Sequence, residues 1–119
     1  MEKEKQRKHE RINSLNLLNF VALDQNGELA LQGMGRTLNV SQGGILLETH
    51  LSIPDDYLIS LSIGLQDEMI DIKGKLVYSR ESEDRKYESG IEFFEINEDA
   101  MRVLNKYIVA FREQKEGHE

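Results

Sequence analysis

Two arginines stand four positions apart near the start of the chain, in the stretch Arg7-Lys8-His9-Glu10-Arg11. A guanidinium group can form two parallel hydrogen bonds to a phosphate or to the O6 and N7 edge of guanine, a geometry that lysine cannot copy. On an extended segment these two arginines would lie about 13 Å apart, enough to hold different parts of one small anion. An arginine pair at this spacing is also common on solvated surfaces, so the motif needs support from elsewhere in the chain.

A second polar motif, NVSQGG, occupies residues 39–44 and has the pattern NxSxxG. Asn39 and Ser41 are two positions apart, so at the end of a strand their side chains point to one face, where they can donate to or accept from the edge of a base. We expect Gly44 to let the backbone turn tightly beneath a ligand. By itself such a stretch is usually a polar turn.

The residue types that most enzymes and metal sites require are absent or badly placed. The chain has no cysteine, and His9, His50 and His118 fit no metal-binding pattern. The serines lie in no nucleophile-elbow motif. Gly33-Met34-Gly35 lacks the lysine and the following helix of a phosphate loop. We therefore expect no catalytic residue and no metal ligand.

Charge is distributed unevenly along the chain. The whole chain has a formal net charge of −7, but residues 1–11 carry five cations and three glutamates, a net +2 that leaves −9 for the rest. An acidic body repels DNA, because duplex binding depends on neutralising many phosphates. Four tyrosines, four phenylalanines and no tryptophan also offer little for stacking the bases of single-stranded RNA. A small ligand with one or two phosphates remains compatible with the basic segment.

Length and composition are typical of one intracellular domain. A chain of 119 residues can bury a core without disulfides or metals. The absence of cysteine favours the cytosol, so we expect a cytoplasmic protein. The longest apolar stretch, LLNFVAL, is too short to span a bilayer, and the basic start is not followed by a secretory segment. We expect no membrane insertion.

Hydrophobic alternation predicts six strands between the basic segment and residue 96. The clearest case places Ile59, Leu61 and Ile63 on one face and serines on the other. Glycine-rich or charged turns separate the strands, and Asn26-Gly27 is a hairpin signal. The predicted strands are residues 15–23, 29–38, 45–51, 57–64, 69–80 and 87–96. Even spacing of this kind is typical of an antiparallel barrel or sandwich.

Two of these strands carry further expectations. Gly33 and Gly35 interrupt the second strand, where a bulge or a close approach of another backbone is the usual explanation. In the fifth strand the alternation places one set of side chains on the buried face, namely Ile70, Ile72, Leu76 and Tyr78.

The last segment predicts an amphipathic helix over residues 97–114. Asn97 is a good N-cap, and acidic residues follow it in the first turn. The apolar stripe consists of Ala100, Met101, Val103, Leu104, Tyr107, Ile108 and Phe111. We expect this stripe to pack on the barrel or close its mouth, the alternative being a surface for a partner or a membrane. Residues 115–119 are expected to form a solvated tail.

Taken together and in this order, the two polar motifs resemble those of the PilZ domain family. The resemblance extends to the GILLET strand behind the second motif, to the late Gly90-Ile91-Glu92-Phe93 and to the C-terminal helix, and so covers nearly the whole chain. It implies a mainly β fold, a six-stranded antiparallel β-barrel with a C-terminal α-helix and a flexible N-terminal arm. The implied arm is residues 1–14, and the implied barrel with its helix is residues 15–114.

The same resemblance implies a ligand, the bacterial second messenger cyclic di-GMP. Residues carried over from the family pattern as ligand-binding are Arg7, Arg11, Asn39, Ser41, Gly43 and Gly44, with Lys8 and Gln6 as secondary contacts. Many family members have Asp where this chain has Asn39. The neutral amide forfeits a charge-assisted bond to guanine, which bears on affinity.

These observations favour a receptor that couples cyclic di-GMP occupancy to a protein effector through ordering of the arm. The alternative is a protein-interaction module of the same fold that does not depend on nucleotide. Retention of both arginines favours the receptor, because relatives that do not bind generally lack them.

Overall fold

The computed structural model of the protein describes residues 16–116. Six strands form a closed barrel in which neighbours are antiparallel, in the order β1-β2-β3-β6-β5-β4. The strands β1 to β6 are Leu17–Leu23, Leu29–Val40, Gly44–Thr49, Leu58–Leu65, Glu68–Glu81 and Tyr87–Phe94. A short 3-10 turn at Glu83–Arg85 precedes β6, and a helix, α1, spans Glu98–Glu116.

This architecture confirms the predicted six-stranded antiparallel barrel with a C-terminal helix. The predicted arm, residues 1–14, lies outside the described residues. Helix α1 runs to Glu116, so the expected boundary between helix and tail at residue 114 falls inside its last turn.

Strand β4 illustrates how the sequence determines the inner face of the barrel. Ile59, Leu61 and Ile63 are fully buried, and Ser62 faces outward, where its hydroxyl donates to an oxygen of Asp71 on β5 at 2.8 Å. Burying a side chain of this size contributes about 1.5–3 kcal/mol. A slip of one residue would bury the serines instead, so the alternation fixes the register of the strand.

The β1–β2 connection is the predicted hairpin turn. Gly27 has a φ of +80°, which only glycine adopts at little cost. The Asp24 carboxylate accepts hydrogen bonds from the backbone N–H groups of Asn26 at 2.9 Å and Glu28 at 3.0 Å. The side chain of Asp24 therefore satisfies the backbone donors that the turn exposes.

Helix α1 begins at the predicted cap and packs against β4 and β5. The Asn97 side-chain oxygen accepts a hydrogen bond from the N–H of Ala100 at 2.8 Å. Most of the predicted stripe is buried, including Leu104 and Tyr107, which have no exposed surface. The Tyr107 hydroxyl is 2.9 Å from that of Thr37 on β2, and burial raises the pKa of Tyr107. A neutral phenol thus joins the helix to the strand that leads into the second motif.

An exposed ion-pair cluster also connects the helix to the start of β5. Arg102 lies 2.8 Å from both Glu68 and Asp99, and Lys106 lies 3.3 Å from Glu68. Hydrogen bonding to Arg102 lowers the pKa of the Glu68 carboxyl. Because all four groups face solvent, the cluster orients the helix more than it stabilises the fold.

Strands β2 and β3 have different ends from those predicted. Strand β2 continues to Val40, which is buried and pairs with Ile45 on β3. Only residues 41–43 therefore form the connection between the two strands. Strand β3 ends at Thr49, because the chain turns there: the Thr49 hydroxyl donates to the carbonyl of Leu51 at 2.7 Å. Leu51 is consequently exposed.

The glycines within β2 mark close packing. A Cβ at Gly35 would lie 3.2 Å from the side chains of Leu47 and Thr49, and one at Gly33 would lie 3.4 Å from the ring of Phe20. These neighbours are side chains, so the expected close approach of another backbone is wrong for both glycines. The expected bulge is not at either glycine, since the register shifts of β2 lie elsewhere in the strand, one of them at Leu38.

Candidate ligand-binding site

The second motif lies where β2 ends and β3 begins. The Ser41 N–H donates to the Gly44 carbonyl at 2.9 Å, and the Ser41 hydroxyl accepts from the Gly43 N–H at 3.3 Å. The Gly43 carbonyl accepts from the N–H of Phe93 on β6 at 2.9 Å. Residues 41–43, here called the motif loop, are therefore held by hydrogen bonds to themselves and to the neighbouring strand.

A β-bulge directs Asn39 toward solvent. The pairing passes from Thr37↔Leu47 to Asn39↔Leu46, which leaves Leu38 as the extra residue. Thr37 is buried and Asn39 is exposed although they are two positions apart, because the bulge reverses the alternation of the strand. Strict alternation could not have predicted this reversal.

The two motif glycines meet different surroundings. A Cβ at Gly44 would fall on the carbonyl oxygen of Ile91, whereas a Cβ at Gly43 would meet nothing within 4 Å. The φ of Gly44 is not left-handed. The expectation that Gly44 permits a tight turn is therefore wrong: the residue is needed because β3 and β6 approach closely there.

An open cavity of about 330 Å³ lies beside the motif loop, and the four predicted residues of the second motif all line it. Its lining also includes Tyr78 on β5 and Glu92 on β6. The polar, aromatic and glycine members of this lining include Asn39, Ser41, Gly43, Gly44, Tyr78 and Glu92. The other predicted contacts, Gln6, Arg7, Lys8 and Arg11, lie outside the described residues.

Tyr78 is a site residue that the sequence reasoning missed. It was predicted on the buried face, but a bulge between Leu76 and Tyr78 makes Val77 the extra residue and turns the tyrosine outward. Its ring lies over Gly90, where a Cβ would come within 2.5 Å of the ring, and it is 46% exposed. The sequence does contain one signal of this bulge. Val77 is apolar, although strict alternation assigns its position to the solvent face.

The described lining offers hydrogen-bonding groups and an aromatic face. The Asn39 side-chain oxygen accepts from the Val40 N–H at 3.0 Å, which leaves its amide N–H groups for a ligand. The Ser41 hydroxyl accepts from Gly43 and retains its own hydrogen for donation. The exposed ring of Tyr78 can stack against a base.

The described lining of the cavity offers no positive charge to a ligand. Glu92 is the charged member of the described lining, and its carboxylate is 3.8 Å from the ammonium group of Lys75. No cation of the described part of the chain lines the cavity. A doubly charged anion would therefore need positive charge from residues beyond this lining.

Within residues 16–116, no group of three or more histidine, aspartate or glutamate side chains is placed to hold a metal ion. The helix in that range is also not apolar enough over a sufficient length to cross a bilayer.

A family model for the PilZ domain matches residues 5–110. The chain belongs to the PilZ domain family. Members of this family are receptors for cyclic di-GMP. The matched part of this PilZ domain begins before Arg7, so it contains both arginines of the first motif as well as the motif loop.

Solved structures of PilZ proteins share the fold. Apo MrkH of K. pneumonia superposes with a TM-score of 0.57 at 17% identity, covering 86% of this chain and 49% of MrkH. A second MrkH crystal structure gives a TM-score of 0.59 at 16% identity, covering 86% of this chain and 47% of MrkH. The PilZ domain of CeSA from a cellulose-synthesizing bacterium gives a TM-score of 0.55 at 9% identity, covering 81% of this chain and 93% of that domain. The chain thus spans about half of MrkH, and no curated protein matches it.

Proposed function

We propose that this PilZ domain is a receptor for cyclic di-GMP that uses the cavity beside the motif loop. One observation carries the proposal: the four predicted residues of the second motif line a single open cavity together with an exposed tyrosine. The ligand carries two guanines and two phosphates. The hydrogen-bonding groups and the aromatic ring of the cavity suit a guanine. Because the described lining has no cation, the phosphates need the positive charge of the basic arm.

In this proposal the arm supplies the cations. Arg7 and Arg11 form bidentate hydrogen bonds to a phosphate or to the O6 and N7 edge of guanine. Lys8 adds a supporting charge, and Gln6 stands where a second copy of the ligand would contact the arm. Phosphate recognition is assigned to the arm because the described lining contains no cation.

The barrel supplies the base contacts. Asn39 and Ser41 donate to the edge of a guanine, and Gly43 leaves room for the ligand to approach the motif loop. The ring of Tyr78 stacks on the base. Stacking on an aromatic side chain contributes about 1–3 kcal/mol per base.

The free energy gained from hydrogen bonds to the ligand is comparable to the free-energy cost of ordering the arm. Fixing each backbone residue costs about 1–2 kcal/mol, so ordering the five residues from Arg7 to Arg11 costs roughly 5–10 kcal/mol. Hydrogen bonds to charged groups return about 1.5–3 kcal/mol each, so four or five of them offset that cost. The proposed arm closes only when the ligand is present, and the closed arm changes the surface offered to a protein effector in the cytosol.

Calorimetric titration with cyclic di-GMP tests the proposal. We expect binding at micromolar protein and a loss of at least tenfold in affinity for Arg11→Ala. Lys3→Ala removes the same charge from the arm outside the RxxxR motif and serves as the matched control. Equal affinity of the two variants would show that Arg11 does not contact the ligand. Absence of wild-type binding would favour the nucleotide-independent interaction module.

A further inference from the structure

A second groove lies on the other side of the motif loop, between the loop and helix α1. It has a volume of about 560 Å³ and is lined by Ser41, Gln42, Gly43, Asn105, Val109 and Arg112, among others. Ser41 and Gly43 line both this groove, here called the helix groove, and the cavity beside the loop. The two spaces therefore meet at the motif loop.

One face of helix α1 forms the wall of the helix groove. Asn105, Ile108, Val109 and Arg112 stand at positions i, i+3, i+4 and i+7, which lie on a single helix face. From Asn105 to Arg112 the face extends about 10 Å along the helix. Ile108 is buried, whereas Val109 is 55% exposed. The groove thus has an aliphatic wall that solvent reaches.

Polar groups border this aliphatic wall. The Gln42 side-chain amide donates to the Asn105 side-chain oxygen at 2.8 Å. This bond leaves the carbonyl oxygen of Gln42 and the amide N–H groups of Asn105 for other partners. The groove therefore offers both an acceptor and a donor within reach of one flat ligand.

Arg112 is the cation of the helix groove, and it is exposed. Arg36, Arg80 and Arg102 each pair with a carboxylate. Arg112 forms no ion pair with any described side chain. Its guanidinium group is therefore available to a ligand in the groove.

We propose that the helix groove binds a guanine base of cyclic di-GMP, with Arg112 as the residue that reads the base. The aliphatic wall covers a face of the ring, and the guanidinium fork donates to O6 and N7. The Gln42 carbonyl oxygen accepts from the N1–H or the exocyclic amino group. This inference rests on the proposed function, and it adds a residue of the C-terminal helix to the ligand contacts. One base occupies the cavity beside Tyr78, and another occupies the helix groove.

Titrations of the wild type and two variants, each with all 119 residues, with cyclic di-GMP test this inference. Arg112→Ala is expected to bind about tenfold more weakly than wild type, or with one ligand fewer per chain if the groove holds a second molecule. Arg85→Ala is the matched control, because Arg85 is also an arginine without an ion pair to a described side chain and lies in the turn before β6, at the far end of that strand from the motif loop. This control is expected to bind like wild type.

NMR of the wild type during the same titration provides an independent readout. The side-chain signals of Asn105 and Arg112 should shift in step with ligand occupancy. If wild type binds but Arg112→Ala binds like Arg85→Ala, and the Asn105 signals do not move, the inference is wrong while the proposed function stands. If wild type does not bind, the proposed function fails and this inference fails with it.

Discussion

Gly44 lies beside the cavity, where the backbone of β6 approaches that of β3. Because a Cβ there would overlap the Ile91 carbonyl oxygen, Gly44→Ala must displace the backbone of one strand. We expect it to lower the free energy of unfolding by about 1–3 kcal/mol. Gly43→Ala, with open space around its Cβ, should change it by less than about 0.5 kcal/mol. Urea denaturation of both variants measures this, and equal losses would contradict the close-approach explanation.

Tyr78 combines exposure with a fixed ring position over Gly90, and it therefore gives a residue-scale prediction about the ligand. Tyr78→Ala should weaken cyclic di-GMP binding by about fivefold to a hundredfold, because a stacked base loses about 1–3 kcal/mol. Tyr78→Phe keeps the ring and should retain most of the affinity. Calorimetry measures both variants, and thermal melts check that they remain folded. Loss of affinity in the phenylalanine variant would mean that the hydroxyl, and not the ring, contacts the ligand.

At the scale of elements, the contact between Thr37 and Tyr107 joins α1 to the strand that ends in the motif. Tyr107→Phe leaves the buried Thr37 hydroxyl without this partner and should cost about 1–3 kcal/mol of unfolding free energy. Adding Thr37→Val removes the orphaned hydroxyl, so the double variant should recover part of the loss. Denaturant unfolding of the single and double variants measures the coupling. Strict additivity would show that the two hydroxyls act independently.

The elements also explain which features the sequence could predict. In β4 the apolar–serine alternation is unbroken, so its inner face and register followed directly from Ile59, Leu61 and Ile63. The helix followed from its cap and its stripe, which are local signals. The bulges at Leu38 and Val77 could not be predicted from local sequence, because each depends on the register with a neighbouring strand.

Those two bulges are also what build the cavity. One exposes Asn39 two positions after buried Thr37, and the other places Tyr78 over Gly90 on β6. Polar spacing was sufficient to nominate Asn39 and Ser41. Tyr78 could not be predicted in the same way. Its position depends on Gly90, twelve residues further along the chain, which lies beneath the ring only in the folded barrel.

At the scale of the whole molecule, the two parts of the chain have opposite net charge, and the proposed function gives them separate tasks. The core cluster of the described region extends from Leu18 to Phe111, and the described cavity lining carries Glu92 as its charge. Residues 1–11 hold a net +2 against −9 in the remainder. Every member of the described core cluster lies between residues 18 and 111, and the proposed function assigns anion binding to the arm.

Deleting residues 1–14 separates these tasks experimentally. Because the core cluster lies among residues 18–111, we expect the shortened protein to melt within a few degrees of the full chain, as a loss below about 0.5 kcal/mol would allow. Its affinity for cyclic di-GMP should fall at least a hundredfold, since the arginine hydrogen bonds to phosphate or guanine are gone. Differential scanning calorimetry and isothermal titration measure the two properties. Unchanged affinity in the shortened protein would show that the anion site lies within residues 15–119, where Arg112 is the cation that lines the helix groove.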